Sequence, residues 1–363
     1  MKIVIDAREL TASTGRYVER LIHYLQRLDL NNDYVILLKL DDYNFWQPSN
    51  PRFIKVKCSY KEFTFGEQLG LQWQIHRLKP DLVHFCMVQQ PLLCRRPVVT
   101  TMHDLTTVRF RNPSKNWLIF TIKQLVYKFV NFYVPHKSRR IIVPSNYVKN
   151  DVAHFAHINP DKITVTYEAA DKLTIPTEPL TQLVDKQFIM YVGRPQPHKN
   201  LERLIEAFAR LHSDYPHLKL VLIGKNDVLY ERLKARVKSV GWQNVVFTGF
   251  VSDGQLRWLY DHCKLYAFPS LSEGFGLPGL EAMVSGAPVV SSTATCLPEI
   301  YDGAAYYFDP NNIEDIRRAL QDVLGNQQLQ QKLIAAGKKR GAEFSWQKMA
   351  KQTLDIYRSF EKP

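Results

Sequence analysis

The stretch that decides the fold runs from Phe268 to Ser292 and reads FPSLSEGFGLPGLEAMVSGAPVVSS. Its apolar start ends at Pro269. Further on, Pro278 is tolerated in the first turn of a helix, and Gly286 favours a helix end. The stretch therefore predicts a strand, a glycine-rich turn, a short helix and another strand, an order typical of a parallel α/β sheet.

The turn within this stretch has the features of a phosphate site. Gly274 and Gly276 let the backbone approach a ligand closely, and the N–H groups at the helix start favour an anion. Glu273 precedes the turn and Glu281 lies within the helix, so their carboxylates can bind hydroxyls on opposite sides of a bound diphosphate. Taken alone, either glutamate could equally be a solvated loop acid or a partner of the helix dipole.

An earlier segment supplies two cations. Residues 193–200 read GRPQPHKN and follow the predicted strand Phe188–Val192. Side chains at the carboxyl end of a parallel strand face the ligand crevice, where Arg194 can grip a diphosphate through its planar fork and Lys199 can act as a point charge. As merely solvated residues near a helix start they would oppose the helix dipole, which makes that alternative awkward.

Both segments closely resemble the signature motifs of one enzyme family. The Glu-x7-Glu pattern with its glycine-rich turn, and the Gly-Arg-x-x-x-x-Lys-Asn pattern, are similar to those of the retaining glycosyltransferases of family 4, or glycosyl transferases group 1. The resemblance implies the α/β GT-B fold, in which two Rossmann-like, doubly wound parallel-sheet domains face a cleft. It also implies transfer from a nucleotide-sugar donor with no metal and no other cofactor.

The resemblance implies roles for individual residues of these motifs. Arg194 and Lys199 are expected to stabilise the leaving diphosphate, Glu273 to orient the sugar hydroxyls and Glu281 to hold the ribose. The other motif residues are expected to contact the donor, and they are Gly193, Gly274, Phe275, Gly276 and Leu277. Family precedent favours same-face attack in which the departing phosphate takes the acceptor proton, so no protein base is expected.

Three further segments resemble the family more loosely. His103 ends a predicted strand where the family has a histidine that lines the donor-sugar pocket, so it is a catalytic-site candidate. A lone histidine at a strand end is otherwise most often an ordinary hydrogen-bonded residue. The loop at residues 11–14 lacks the glycines of many members, so only Gly15 is carried over as a donor-binding residue. Gly224 and Lys225 follow a strand in the neighbourhood that binds the base in the family.

Short aliphatic runs alternate with longer helical patterns along the chain, which is the signature of parallel βαβ units. The predicted strands are Ile3–Ile5, Tyr34–Leu40, Ile54–Lys57, Leu82–Phe85, Val98–Met102, Arg140–Val143, Ile163–Val165, Phe188–Val192, Lys219–Ile223, Val245–Thr248, Leu265–Phe268, Val289–Ser291 and Ala305–Phe308. Residues 170–186 are typical of a linker. We expect an N-terminal acceptor-binding domain over 1–175, a nucleotide-sugar-binding domain over 176–344 and a helix in 345–363 that crosses back to the first domain.

Composition favours a soluble globular protein of more than one domain. The 363 residues exceed one ordinary core, and contents of 45% hydrophobic and 23% charged residues are typical of globular proteins. The chain opens on a predicted strand and has no long uncharged span, which favours a cytoplasmic protein. Its five cysteines are odd in number and scattered, which favours reduced, packed thiols over a disulfide framework or a zinc site.

The net charge of +13 has an uneven distribution, because Leu105–Asn150 contains no acidic residue. An anionic surface or substrate is implied. A helix over Trp117–Val134 could lie on a membrane surface or pack in the N-terminal domain with a basic rim, and the two interpretations are compatible. Candidate residues for a membrane or acceptor surface are Lys123, Lys128, Arg139 and Arg140. Nucleic acid is a less favoured partner, because the sequence has no zinc-finger spacing and no RNA-binding aromatic motif.

The resemblance thus implies a retaining, metal-independent hexosyltransferase. Its donor would be GDP-mannose or a UDP-sugar, and its acceptor a glycan or lipid-linked glycan in cell-surface polysaccharide synthesis, at the inner face of the membrane. The alternatives are a sugar-nucleotide 2-epimerase, which needs no acceptor, and a non-catalytic sugar- or nucleic-acid-binding protein. A glycosidase has no use for a phosphate-binding turn. A NAD-dependent dehydrogenase would carry Gly-x-Gly-x-x-Gly after its first strand.

Overall fold

A computed structural model of the chain describes residues 1–11, 14–62, 64–110 and 117–361. Residues 12 and 13 of the loop and residues 111–116 of the basic stretch lie outside the described residues. The chain forms two compact units. The first comprises Met1–Val108, Ile122–Glu168 and Ser345–Pro363, and the second comprises Arg109–Thr121 and Ala169–Phe344.

The strands follow the predicted order. They are β1 (Lys2–Asp6), β2 (Asp33–Leu38), β3 (Phe53–Lys57), β4 (Leu82–Phe85), β5 (Val98–Thr101), β6 (Arg140–Val143), β7 (Ile163–Val165), β8 (Phe188–Val192), β9 (Lys219–Ile223), β10 (Val245–Gly249), β11 (Tyr266–Phe268), β12 (Val289–Ser292) and β13 (Ala305–Phe308). The strand predicted to reach Leu40 ends at Leu38, because Leu40 already begins a helix.

Helices connect these strands. They are α1 (Gly15–Leu28), α2 (Leu40–Phe45), α3 (Gln72–Leu78), α4 (Thr106–Arg109), α5 (Trp117–Lys137), α6 (Asn146–Ala156), α7 (Leu201–Ala209), α8 (Val228–Val240), α9 (Asp253–His262), α10 (Leu277–Ser285), α11 (Leu297–Tyr301), α12 (Ile313–Leu324), α13 (Gln327–Gly341) and α14 (Trp346–Arg358). A π-helical turn, Gly66–Leu71, leads into α3, and 3-10 turns cover Pro160–Lys162, Thr181–Leu183, Pro197–Lys199 and Asp302–Ala304.

The first unit is built on a seven-stranded parallel sheet of order β3-β2-β1-β4-β5-β6-β7. Strands β1, β2 and β4 are largely buried aliphatic runs, as expected where helices cover both faces of a parallel sheet. The final helix α14 packs against α1 in this unit. Its Tyr357 hydroxyl hydrogen-bonds His84 Nδ1 on β4, and His84 Nε2 lies 2.8 Å from the Thr101 hydroxyl on β5.

The second unit is built on a six-stranded parallel sheet of order β10-β9-β8-β11-β12-β13. The strand order reverses between β8 and β11, and ligands of open α/β sheets bind at the carboxyl ends of strands beside such a switch point. Residues 193–200 follow β8 and Glu273 follows β11, so the fold brings the two predicted motifs to this point.

The cysteines are free thiols, as the sequence predicts. Cys58, Cys86 and Cys296 are buried, whereas Cys94 and Cys263 are partly exposed. Burial raises the pKa of the Cys263 thiol to about 12. Burial also raises the pKa of Cys58, Cys86 and Cys296, so these three thiols and Cys263 are protonated at neutral pH.

Candidate active site

Glycines bring backbones together at the carboxyl ends of β8, β9 and β10. The Gly193 N–H donates to the Ile223 carbonyl at 2.9 Å, and the Gly224 N–H donates to the Gly249 carbonyl at 3.1 Å. A Cβ added to Gly224 would lie 2.6 Å from the Gly193 carbonyl oxygen, and Gly193 has a φ of +148°. Larger residues would force this edge apart. Lys225 follows, with an exposed side chain.

The predicted phosphate-binding turn leads into α10. Gly276 precedes the helix with a φ of +89°, Pro278 lies in its first turn, and Gly286 ends it with a φ of +90°. The predicted order of strand, turn, helix and strand is confirmed. The first N–H groups of an α-helix have no partner within the helix, and the helix dipole favours an anion there. The start of α10 is therefore suited to a phosphate.

The remaining residues of the turn differ in what they can offer a ligand. Phe275 is buried, and its ring packs edge-on against Phe344 with the centroids 5.5 Å apart. Only the backbone of Phe275 is therefore available to a bound ligand. Gly274 is also buried, while Leu277, the first residue of α10, is half-buried. Glu281 lies on the second turn of α10 and is half-buried.

Lys199 and Glu273 meet at the switch point. Lys199 Nζ lies 2.6 Å from Glu273 Oε1, and the side chains keep only 19% and 11% of their exposure. Such partial desolvation strengthens a charge-assisted hydrogen bond relative to one on the open surface. The structure therefore joins a residue from each of the two sequence motifs.

Asn200 fixes the loop that carries Lys199. It has a left-handed backbone with a φ of +58°, and its Nδ2 donates to the carbonyls of Pro269 at 3.1 Å and Pro310 at 2.8 Å. The Leu271 N–H donates to the His198 carbonyl at 2.7 Å. These bonds tie the loop after β8 to the loop after β11. The Lys199–Glu273 pair is thus held by buried backbone contacts as well as by its own charges.

Arg194 is also paired with a carboxylate. Its Nε donates to Asp227 Oδ2, and about half of its side chain (48%) is exposed. Asp227 caps α8, because its Oδ1 accepts from the N–H groups of Leu229 at 2.9 Å and Tyr230 at 3.1 Å. Burial raises the pKa of Asp227, but these N–H groups and Arg194 outweigh it, so the pKa lies below its usual value. Both predicted diphosphate-binding cations therefore have a carboxylate partner.

His103 lies after β5 in the first unit, between two hydrogen-bond acceptors. Its Nε2 lies 3.0 Å from the Cys86 carbonyl oxygen, and its Nδ1 lies 3.4 Å from Glu168 Oε1. Because neither partner can donate, the imidazolium, with a proton on each nitrogen, suits this site best. Burial lowers the pKa of His103, but the bonds to Glu168 and Cys86 outweigh it and raise the pKa above its ordinary value.

Gly15, the other predicted donor-binding residue in the first unit, begins α1. A Cβ placed on it would lie 2.1 Å from the Leu10 carbonyl oxygen. The loop and the helix start therefore approach each other at a point where only a glycine fits without a shift. The ring of Tyr17, one turn into α1, meets His103 edge-on with the centroids 4.9 Å apart.

Two acidic residues of these sites are absent from the sequence-based prediction. Asp227 directly precedes a helical pattern, so its role as a helix cap could have been predicted from its position. Glu168 comes just after β7, and acids at the carboxyl end of a parallel strand are candidates for a site. Their pairings are harder to predict. Asp227 lies 33 residues from its partner Arg194, and Glu168 follows a different strand from its partner His103.

The four predicted surface cations lie on or just after α5 and are exposed, namely Lys123, Lys128, Arg139 and Arg140. The inner side of α5 is buried through Val130 and Val134. Several other apolar side chains of α5 are exposed, and they are Leu125, Val126, Phe129 and Phe132. In the part of the chain that the structure describes, no helix is long and apolar enough to cross a membrane.

The predicted site residues fall into two sets by unit. Gly15 and His103 lie in the first unit, and the donor-binding and catalytic residues from Gly193 to Glu281 lie in the second. Within residues 1–11, 14–62, 64–110 and 117–361, no group of three or more His, Cys, Asp or Glu side chains is placed to hold a metal ion.

Comparison with known families matches both halves of the chain. Residues 178–340 match the family described as glycosyl transferases group 1, and residues 14–172 match the family described as glycosyltransferase family 4. These matches agree with the resemblance of the Glu273 and Arg194 motifs.

Curated relatives include several mannosyltransferases. O-antigen chain mannosyltransferase B of Escherichia coli is 27% identical over 320 residues, which cover 73% of this chain and 81% of the relative. The serotype-specific mannosyltransferase WbdA of Escherichia coli is 33% identical over 247 residues, but these cover 65% of this chain and only 28% of WbdA. The MMP alpha-(1->4)-mannosyltransferase of Mycolicibacterium hassiacum is 29% identical over 72% of this chain and 65% of its own length.

Solved structures resemble the chain over its whole length. Sucrose-phosphate synthase of Thermosynechococcus elongatus has a TM-score of 0.76 at 19% identity and covers 99% of this chain and 98% of its own. HepE of Anabaena, solved with UDP and glucose, has a TM-score of 0.76 at 19% identity and covers 99% of this chain and 100% of its own. At this identity the likeness concerns the fold, and it confirms the predicted GT-B architecture.

Proposed function

Since this chain belongs to the glycosyltransferases of family 4 with the GT-B fold, we propose that it transfers mannose from GDP-mannose, with retention of configuration, to a growing glycan. The mannosyltransferases among its relatives support mannose as the sugar. The observation that carries the proposal is the Lys199–Glu273 pair beside the start of α10, because it combines a cation, a carboxylate and helix N–H groups at one switch point.

The leaving group determines how this site would accelerate transfer. Negative charge grows on the diphosphate as the glycosidic bond to it breaks, so cations and N–H groups already in place lower the barrier. Lys199, Arg194 and the first N–H groups of α10 supply those charges. Each cation has a carboxylate partner in this structure, so part of its hydrogen bonding would pass from the carboxylate to phosphate oxygens when the donor binds.

The two motif glutamates then bind the sugar and the ribose of the donor. Glu273, released from part of its bond with Lys199, accepts hydrogen bonds from hydroxyls of the donor sugar. Glu281 of α10 binds the ribose. Attack of the acceptor hydroxyl occurs on the same face from which the diphosphate departs, and a departing phosphate oxygen takes the acceptor proton. No side chain of the protein is needed as a general base in this scheme.

The family resemblance gives His103 a role at the donor sugar. Its ring nitrogens face the Glu168 carboxylate and the Cys86 carbonyl oxygen, so the two contacts stabilise a positive charge on the ring. A cation lining the donor-sugar pocket stabilises negative charge that develops on the leaving group. Side chains thus provide the positive charge, which supports a metal-independent reaction.

A membrane surface is part of the proposal. Amphipathic helices with aromatic and aliphatic residues beside lysines bind at the boundary of anionic bilayers. The exposed residues of α5 have this composition, since they include Leu125 and Phe129 as well as Lys123 and Lys128. We place the enzyme as a peripheral protein at the cytoplasmic face, where its acceptor would be a lipid-linked glycan.

An acceptor-dependence assay tests the function. The protein would be incubated with GDP-mannose, or with UDP-glucose as a comparison donor, and released nucleotide would be measured with and without lipid-linked glycan acceptors. Release of GDP that needs an acceptor, with an α-linked product, supports the proposal. Release without acceptor indicates the 2-epimerase alternative if the sugar is epimerised. No consumption of any donor would indicate a non-catalytic binding protein.

A further inference from the structure

Thr295 has an unusual backbone directly behind the phosphate-binding turn. Its φ of +53° lies in the left-handed region, where a β-branched residue is rarely found, since its Cβ crowds the neighbouring carbonyl. A glycine or asparagine would adopt this conformation more easily. Such outliers persist only where surrounding contacts hold them, and they concentrate at functional sites.

The contact that accompanies this backbone is a hydrogen bond to Glu273. Thr295 Oγ1 accepts from the Glu273 N–H at 3.1 Å. The next residue, Cys296, donates its thiol hydrogen to the Glu273 carbonyl with Sγ 3.3 Å from the oxygen. Burial, together with the charges of Glu273 and Glu299, holds the pKa of Cys296 well above its ordinary value, so the donor remains a thiol. Both polar groups of the Glu273 backbone are thus fixed by one neighbouring segment.

The same segment also supports the rest of the turn. Tyr301, at the end of α11, is fully buried and donates its hydroxyl hydrogen to the Gly276 carbonyl. A Cβ on Gly276 would lie 2.6 Å from the Tyr301 hydroxyl oxygen, and one on Gly279 would lie 2.2 Å from it. The turn and α10 therefore rest directly on the residues that follow β12.

We propose that Thr295 is a positioning residue for the transfer reaction, which uses its left-handed backbone to aim a hydroxyl at the Glu273 N–H and so sets the direction of the Glu273 carboxylate. The proposal rests on the proposed function, because it assumes that Glu273 binds the donor sugar. Thr295 is only half-buried, so it fills little of the core. Its hydroxyl, rather than its volume, distinguishes it from other residues that could stand there.

Two variants separate the hydroxyl from the shape. Thr295→Val keeps the β-branched form and the strained backbone but removes the acceptor, whereas Thr295→Ser keeps the acceptor. Amide hydrogen exchange at Glu273 would be measured in both, together with kcat, KM for GDP-mannose and the melting temperature. We expect Thr295→Val to speed exchange at Glu273 and to lower kcat about tenfold, with KM and melting temperature little changed, as for loss of one aimed hydrogen bond. Thr295→Ser should stay within about threefold of wild type in kcat.

A double-mutant cycle then tests whether Thr295 acts through Glu273. If it does, adding Thr295→Val to Glu273→Gln should lower kcat by much less than it does in wild type, because the residue it positions is already disabled. Full additivity would overturn the proposal. Equal losses in Thr295→Val and Thr295→Ser, or unchanged Glu273 exchange in Thr295→Val, would also overturn it.

The exchange measurement keeps the two proposals distinguishable. If wild-type protein transfers no sugar from any donor, the proposed function fails. If exchange at Glu273 is then faster in Thr295→Val but not in Thr295→Ser, Thr295 still holds the Glu273 backbone, but the contact serves a function other than sugar transfer. Unchanged exchange would remove Thr295 from the site whatever the activity of the wild type.

Discussion

Lys199 Nζ and Glu273 Oε1 lie 2.6 Å apart, although they belong to loops that follow different strands of the sheet. The hydrogen bonds from Asn200 to the carbonyls of Pro269 and Pro310 hold these two loops together next to the pair. When the donor binds, the Lys199–Glu273 contact would give way to two others. A phosphate oxygen would bind Lys199, and sugar hydroxyls would bind Glu273. The pair is therefore a preorganised site in which little has to move when the donor binds.

Removal of the lysine should reduce turnover far more than stability. Lys199→Ala deletes a charge that acts on the leaving group, and we expect kcat to fall by about 10²–10³, as for other preorganised donors. Transfer from GDP-mannose and thermal melting would be measured together. The control is Lys332→Ala, because Lys332 is exposed on α13 of the same unit and has no assigned role. Near wild-type kcat in Lys199→Ala would remove its assignment to the diphosphate.

Arginine at position 194 should not be replaceable by lysine. The planar guanidinium can grip two phosphate oxygens, whereas an ammonium is a point charge. We expect Arg194→Ala to lower kcat/KM for the donor by about 10²-fold and Arg194→Lys to recover only part of that loss. The matched variant is Asp227→Asn, which keeps an oxygen to cap α8 but releases Arg194 from its carboxylate. Donor affinity in Asp227→Asn should equal or exceed that of wild type, and a large loss there would argue against exchange of Arg194 between the two anions.

Chelators should leave activity intact. Side chains supply the positive charge in the proposed mechanism, so transfer in EDTA should match transfer in buffer without it. Initial rates would be compared before and after dialysis against EDTA, with magnesium and manganese added back. Activity lost on chelation and restored by either ion would refute the metal-independent mechanism.

The His103–Glu168 pair should make one part of the stability pH-dependent. The pKa of His103 is higher in the folded protein than its unfolded value of about 6.5. The pair therefore contributes its full share of the free energy of unfolding below pH 6.5, and this share is lost as pH rises through the folded pKa. Glu168→Gln should remove this contribution, so the difference in melting temperature between wild type and variant should be larger at pH 6 than at pH 9.

His84 has the opposite effect on the pH dependence of stability, so wild type must be compared with the Glu168→Gln variant. Burial lowers the pKa of His84 to about 3, with a minor effect from His103. Its unfolded form takes up a proton below about pH 6.5, so wild-type stability falls as pH decreases from there. Subtracting the two melting curves isolates the Glu168 contribution. A difference that does not change with pH would mean that His103 does not gain a proton from this pairing.

Anionic vesicles should bind the protein through the α5 surface. Each basic residue near an anionic leaflet contributes about 1 kcal/mol, screened within about 8 Å at physiological salt. A variant with Lys123, Lys128, Arg139 and Arg140 changed to Gln should therefore sediment less with vesicles at low salt than wild type. The charge-matched control changes Arg232, Lys234, Arg236 and Lys238 of α8, which are also exposed. Equal losses in both variants would indicate a general charge effect, and no wild-type binding would leave α5 as a packed helix with a solvated rim.

The sequence predicts most of the fold because the signals are local. The buried aliphatic runs, Pro278 in a first turn and Gly286 at a helix end each determine their own neighbourhood. The site is predicted less completely. Lys199 and Glu273 carry motif signals, but the partners Asp227, Glu168 and Thr295 are set by how separate loops meet at the sheet edge. Such long-range pairings leave no fixed spacing in the sequence.

Binding of nucleotides with one and two phosphates tests the diphosphate site most directly. Isothermal titration of GDP and GMP, with UDP and UMP in parallel, would be carried out on wild type and on Lys199→Ala. The account predicts that wild type binds the diphosphate at least about tenfold more tightly than the monophosphate, a difference of about 1.4 kcal/mol, and that Lys199→Ala loses most of this preference. Equal affinity for GDP and GMP in wild type, or a preference for GDP that survives in Lys199→Ala, would contradict it.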